Sequence, residues 1–457
     1  MSAPAHRLAF FRQSGWLLIA TTAGGAFMWL VHIPAIARLP QAEYGVFLAL
    51  LQVMNLMLIP AIGLQTVFAQ QAAGAVSPLE QRQLAWTVRR VLTGVAAIWL
   101  AMLALIFLVR EPILTSMKIG NPAALWLTVA SGLAMLWWPI LQGVLQGRQD
   151  FLWLGWLQVI NGCGRFLAVL VLVVALGAWA AGAMTAALIG FWLTVAVAAW
   201  RSRTTWLAAG QALPWRHWLR RVVPLTLGLG AAQFMMAADQ VVVQNVFELT
   251  GPYGAAGMIG RALMFFTGPM VAVMFPKVAA AAARSERTNV LAQALGATAL
   301  LGGAGALACT LFPELPLRIV RADKYLAIAP LVPWFAWCML PLTLSNVLIS
   351  NLLARQRTAA VPWLVAIAAT YGLALWWRAH GVYPATALKG FAAATTLPGI
   401  FAPISSSVTS ALLQARQLSA FPAVVATLGV FSVLLLVVTT FFTWRLPGPA
   451  ARSFAGR

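Results

Sequence analysis

Long apolar stretches alternate with short, arginine-rich gaps from Trp16 to Thr443. A helix that crosses a hydrocarbon core of roughly 30 Å needs about 20 apolar residues. The apolar runs meet that length at 16–36, 45–66, 91–109, 122–145, 151–176, 180–200, 222–247, 253–275, 289–312, 326–353, 361–377, 385–411 and 421–443. The pattern predicts an all-α polytopic membrane protein of 12 to 14 transmembrane helices. The longest gaps, 67–90 and 201–221, are too short for a soluble domain of about 50 residues. Function therefore belongs inside the bilayer.

Composition supports this. Apolar residues make up 62% of the chain and charged residues 9%, a ratio that would leave a soluble protein without a polar surface. The 21 tryptophans suit the two membrane interfaces.

A net charge of +21 raises the question of nucleic acid. The cations form no single patch and fall in alternate gaps, as the positive-inside rule requires, so no nucleic-acid partner is expected. One set comprises Arg7, Arg12, Arg82, Arg89, Arg90, Arg148, Arg201, Arg203, Arg216, Arg220, Arg221, Lys277, Arg284, Arg287, Arg355, Arg357 and Arg416. The other is smaller: Arg38, Arg110, Lys118, Arg318, Arg321, Lys324, Arg378 and Lys389. The bias predicts a cytoplasmic N-terminus. Thirteen spans would leave Arg445, Arg452 and Arg457 outside, so the last region departs from simple counting. The opening segment, with Ala35-Ile36-Ala37, is similar to a cleaved leader, but its apolar run exceeds the usual 7–15 residues and reads as a retained helix. Cys163, Cys309 and Cys338 lie in apolar segments without metal-binding spacing and read as small buried hydrophobes. Neither a metal nor a cofactor is expected.

The chain repeats itself. Tyr44-Gly45 and Tyr253-Gly254 stand 209 residues apart, as do Pro60 and Pro269. Gly147-Arg148-Gln149 and Ala354-Arg355-Gln356 follow at an offset of 207. Two six-helix units are expected, an N-terminal lobe at 1–200 and a C-terminal lobe at 222–411. A cytoplasmic linker, 201–221, would join them, with a further helix and basic tail at 412–457. An even number of spans gives both lobes one orientation, the arrangement of parallel-repeat transporters.

Charge inside a membrane is costly and marks function or a specific pairing. Arg165, Asp239 and Arg261 lie deep within spans. Gln158, Asn161 and Arg165 share one helical face with Gly162, which would admit a ligand or a helix. Arg165 has no acidic residue within any span of its own repeat. It reads as an anion clamp, since a guanidinium matches phosphate oxygens bidentately, or as an arginine reaching the interface or neighbouring carbonyls. Asp239 and Arg261 lie equally far from the turn near Thr250, so an antiparallel pair brings them to one depth. They form either a structural ion pair or a switch, in which a proton or Na⁺ takes Asp239 and substrate takes Arg261. Gln233, Gln240 and Gln244 favour a wet cavity beside them. Gln52 and Asn55, and Ser345, Asn346, Ser350 and Asn351, are weaker candidates, because such residues commonly join helices. His32 reads as interfacial. Pro60, Pro139, Pro269, Pro333 and Pro341 are candidate kinks.

Three stretches together resemble the polysaccharide transporter (Wzx-like) flippases, relatives of the MATE multidrug exporters: Ile36-Ala37-Arg38-Leu39-Pro40-Gln41-Ala42-Glu43-Tyr44-Gly45-Val46-Phe47, Leu145-Gln146-Gly147-Arg148-Gln149-Asp150-Phe151, and Ala238-Asp239-Gln240-Val241 with Gly251-Pro252-Tyr253-Gly254-Ala255-Ala256. In the second, Arg165 stands where the family often has an arginine. The resemblance spans residues 10–360 and fades after 380, where Lys389 and the Ser405–Ser410 run replace an ordinary apolar helix. It implies a V-shaped, MATE-like bundle with a cationic central cavity in a bacterial inner membrane. It further implies transfer of a polyprenyl-diphosphate-linked oligosaccharide to the outer leaflet, with an ion gradient as one driving force and glycan-assembly or polymerase proteins as partners. A MATE-like exporter of cations should carry unpaired cavity acids, and a polyprenyl-linked glycosyltransferase or polymerase a large outer loop bearing catalytic groups. Both fit the residues less well. An inactive envelope scaffold remains a third alternative.

Overall fold

The computed structural model describes residues 3–213, 215–248, 250–262, 290–355, 357–382 and 402–444. The described residues are helical with short connections and contain no strand. The first half comprises α1 (Ala3–Leu30), α2 (His32–Arg38), α3 (Gln41–Met57), α4 (Ile59–Gly74), α5 (Pro78–Leu108), α6 (Arg110–Ser116), α7 (Pro122–Gly147), α8 (Phe151–Val169), whose last turn widens into a π-helix at Leu170–Ala175, and α9 (Trp179–Trp206). The second half comprises α10 (Trp215–Val246), α11 (residues 250–262), α12 (Val290–Leu311), α13 (Leu315–Ile319), a 3₁₀ turn at Asp323–Ile328, α14 (Leu331–Ala354), α15 (Val361–Val382) and α16 (Ala402–Trp444).

Among the described residues ten helices are long and apolar enough to cross a membrane, eleven if α3 and α4 count as one bent span. The chain is a multi-pass membrane protein. The expected span 45–66 is this bent pair, with a 44° change of direction. Pro60 lies just past the break, in the first turn of α4, where a missing N–H costs nothing. Pro139 and Pro341 lie inside α7 and α14, and Pro269 lies outside the described residues.

The helices are longer than the apolar runs. The expected gap 67–90 is mostly helix: α4 continues to Gly74, and α5 starts at Pro78 behind a capping box. There Ser77 Oγ accepts from the Glu80 N–H at 3.3 Å, and Glu80 Oε2 accepts from the Ser77 N–H at 2.8 Å. The gap at 412–420 is a correction of the same kind, because α16 runs through it without interruption. Residues 383–401, with Lys389 and Pro398, lie outside the described set.

Packing follows the two halves. In the first, α1 lies on α8, α4 on α7, and α9 against both α7 and α8. In the second, α10 lies on α15, and α14 on α12 and α16. The halves meet where α10 packs along α3 and α4. Glycines stand at close contacts along this seam. A Cβ added at Gly63 of α4 would strike the backbone of Thr226 on α10, and one at Gly230 of α10 would strike the Ile59 side chain on α4. Close backbone approach through small residues is how helices associate where no hydrophobic effect drives them.

Candidate functional site

The halves are locked at the end where α3, α7 and α11 begin, the face that the charge bias assigns to the outside. Lys324 donates to the Leu39 carbonyl at 2.7 Å, and the Tyr44 and Tyr325 rings stack at 6.0 Å. Lys118 donates to the Phe247 carbonyl and pairs with Glu248 at 3.7 Å. Beneath it Gln244 donates to the Met117 carbonyl at 2.9 Å. Burial holds the Lys118 ammonium below its usual range, partly offset by Glu248, and lowers that of Lys324 as well.

Below this closure lie the intramembrane charges. Arg261 on α11 meets Asp239 on α10 as their equal distance from the turn predicts. Its Nη2 stands 2.5 and 2.6 Å from the two carboxylate oxygens, and its Nε donates to the Met236 carbonyl at 2.9 Å. Tyr253 adds a third contact, its hydroxyl donating to Asp239 Oδ2 at 2.8 Å. Phe335 lies against the guanidinium at 5.8 Å. Both charged side chains are almost fully enclosed, at 8% and 0% exposure. The pair exists; the residue 209 before Arg261 is Gln52, which makes only a local hydrogen bond with Asn55 at 3.0 Å. The repeat therefore carries charge in one half and a neutral amide in the other.

Arg165 differs. Its stem lies over Gly190 of α9, where any Cβ would collide with it, and its guanidinium sits 5.0 Å from the Phe191 ring. It is 6% exposed and makes no hydrogen bond or ion pair among the described residues. It reaches no carbonyl of the described residues. Of the two roles open to Gly162, the structure shows the helix, since α1 crosses there with the Gly24 carbonyl against it. The backbone of Gln158 likewise meets Gly24, and Asn161 is buried beside Arg165 with Oδ1 unpartnered. Gln158, Asn161 and Arg165 thus share α8, but α1 and α9 divide its faces between them.

His32 stands at the break between α1 and α2. The charges of Arg165 and Arg261 both reach its ring, and its Nδ1 is buried without a partner. It stands where both halves contribute charge. Gln240 is wholly buried with neither amide atom bonded, and Gln233 is half-buried. Tyr371 brings another unpartnered hydroxyl, close enough to feel both Asp239 and Arg261. Unbonded buried polar atoms are rare in proteins, and their gathering here marks a polar interior suited to water or a polar ligand. Sequence reasoning missed Tyr371 and Phe191, which carry no signal in an apolar helix. The hydroxyl of Tyr253 was within reach, since Tyr253 belongs to the repeated Tyr-Gly pair.

No protein-family model matches the chain, and no curated protein matches it. Solved structures do. A MOP superfamily transporter from Pyrococcus furiosus, described as having a binding pocket of reverse polarity that suggests a different function, aligns at TM-score 0.65 and 12% identity, over 95% of this chain and 94% of its own. An inward-facing multidrug resistance MATE family transporter of the same superfamily aligns at 0.60 and 12%, over 94% and 97%. A eukaryotic MATE transporter aligns at 0.61 and 14%, over 95% and 96%. At these identities the likeness is one of fold, and the all-helical MATE-like architecture expected from the sequence is the one found.

Proposed function

We propose that this protein is a transporter that moves a polyprenyl-diphosphate-linked oligosaccharide between membrane leaflets by alternating access. One observation carries the reading. Among the described residues Asp239 is the one acid of the central cluster and is engaged by Arg261, which leaves Arg165 as a buried cation with no counter-charge among them. Such a cluster favours an anion. A diphosphate crossing the bilayer loses hydration, and a fixed guanidinium offsets that loss with paired, charge-assisted hydrogen bonds. Asn161, Gln233 and Gln240 offer amides to sugar hydroxyls, and the lipid tail can remain in the bilayer. Asp239 is the candidate for ion coupling, because its protonation would free Arg261 to join Arg165.

The second reading is an exporter of cationic small molecules, which the MATE neighbours favour. It needs an acid free to bind the cargo, and Asp239 is not free. A pocket of reverse polarity, suggesting a different function, is described for the archaeal neighbour, and the excess of arginine here is itself unsuited to a cationic cargo.

The test is lipid-linked glycan accumulation in cells carrying Arg165→Ala, Arg261→Ala or Asp239→Asn, with protein level and membrane insertion measured in parallel. Loss of the bidentate contact, worth about 1.5–3 kcal/mol, should slow export by about tenfold or more in Arg165→Ala. Cytoplasmic-leaflet accumulation is the expected result, at normal protein level in Arg165→Ala, whose side chain has no ion-pair partner to strand. Normal export from all three variants, or cationic-drug sensitivity in its place, would overturn the proposal.

A further inference from the structure

A second cationic site lies far from the central cluster, at the end of the first half where α7 stops, α8 starts and α9 ends. A cavity of about 470 Å³ opens there between Arg148, Gln149, Asp150, Arg201, Arg203 and Thr204. Its size falls in the range of small-molecule sites, about 300–1,000 Å³. Gln149 takes φ 58°, a left-handed turn that returns the Asp150 N–H to the Leu145 carbonyl at 3.0 Å and sets Arg148 and Asp150 on one rim.

The charges around the cavity do not cancel. Asp150 is its one carboxylate, and Arg201 takes it, Nε to Oδ2, at 2.8 Å. Among the described residues Arg148 bonds only to the Thr204 hydroxyl, at 3.1 Å, and Arg203 only to the Trp200 carbonyl, at 2.9 Å. A guanidinium has five donors, so most of the donors of these three side chains are uncommitted. Burial and the neighbouring Arg201 push the Arg148 guanidinium below its usual range, although Asp150 opposes this. The aromatic surroundings fix the depth of the site. Trp153 and Trp200 meet edge-on at 5.9 Å, with Arg201 5.7 Å over the first and Arg203 4.8 Å over the second. Tryptophan favours the headgroup level of a bilayer.

Topology alone explains arginines on this face, which the charge bias assigns to the cytoplasm, but not their convergence. The corresponding position of the repeat shows the contrast. Arg355 is held by Asn351 Oδ1 at 3.2 Å, and Arg357 by the Thr443 carbonyl at 3.1 Å.

We infer that this cavity binds the phosphate of an anionic lipid headgroup in the inner leaflet. Arg148 and Arg203 supply the contacts, and the Trp153–Trp200 pair marks the membrane surface beside them. The site is independent of the central cluster and of the cargo.

The test is native mass spectrometry of the purified full-length chain, offered phosphatidylglycerol, phosphatidylcholine or inorganic phosphate. Retention of one phosphatidylglycerol in preference to phosphatidylcholine is expected. Arg148→Gln with Arg203→Gln should lower that occupancy about tenfold, the scale of lost hydrogen bonds to a charged group. Arg148→Lys should keep part of it, and Arg355→Gln all of it. Raised salt should strip the lipid from the unaltered chain, a readout that does not depend on any variant folding. Equal retention of the two lipids, salt-insensitive binding, or unchanged occupancy in the double variant would overturn the site. Capture of inorganic phosphate without a lipid preference would overturn the lipid assignment.

Discussion

Replacing Arg261 by methionine would leave the Asp239 carboxylate enclosed at 0% exposure with the Tyr253 hydroxyl as its remaining hydrogen bond. A buried charge stripped of its partner destabilises by about 3–5 kcal/mol. Asp239→Leu should cost a similar amount, because the guanidinium would keep only the Met236 carbonyl at 2.9 Å. Removing both charges together should recover most of the loss, since a buried ion pair is often no better than apolar side chains of the same volume. The expected coupling energy is therefore about 3 kcal/mol or more, well above the 0.3–0.5 kcal/mol scatter of independent sites. Equilibrium unfolding in mixed micelles, with increasing mole fraction of a denaturing detergent, measures all four proteins on one scale. If either single variant lost less than about 1 kcal/mol, or the cycle closed without coupling, the pair would not be a desolvated charge pair and the reasoning would fail.

Other expectations follow from the same geometry. Tyr253→Phe removes one donor to Asp239 and should cost about 0.6 kcal/mol, the average for interhelical hydrogen bonds in membranes, read by the same titration. Gly190→Val drives a side chain into the Arg165 stem and should cost about 1–3 kcal/mol, with export reduced alongside; a variant with unchanged stability would show that Arg165 does not lie there. Lys118→Ala with Lys324→Ala removes two charged donors from the closed face and should raise impermeant-maleimide labelling of Gln240→Cys about tenfold or more, in a chain with its native cysteines replaced. Fusions after residue 210 should report the cytoplasm and fusions after residue 120 the outside, with the opposite pattern refuting the charge-bias orientation.

The spans were legible because about 20 apolar residues in a row have few other uses. Their ends were not. Segments such as Leu79–Gln83 are polar yet helical, and a capping box rather than an apolar period starts α5 there. The bend between α3 and α4 was signalled by Pro60, but its angle depends on how α10 receives both halves of the span. In the site, the Asp239–Arg261 pair could be read from equal distances to one turn, a one-dimensional measure. The surroundings of Arg165 could not, because periodicity groups Gln158, Asn161 and Arg165 on one face without saying which helix covers it. The charges acting on His32 were hidden for a related reason: position along the chain does not reveal what the other half brings near the same ring.

The glycine-lined seam along α10 has a mechanical meaning. Interlocked side chains must change rotamer before two surfaces can slip, and each such step raises a barrier. Where Gly63 lets α4 touch the backbone of Thr226 on α10, there is little to unlatch, so the contact would act as a bearing for the rolling of one half on the other that the proposed alternating access requires. The same smoothness leaves no tolerance. A single methyl at Gly63 would act as grit in that bearing, and such a variant should assemble and insert yet turn over slowly.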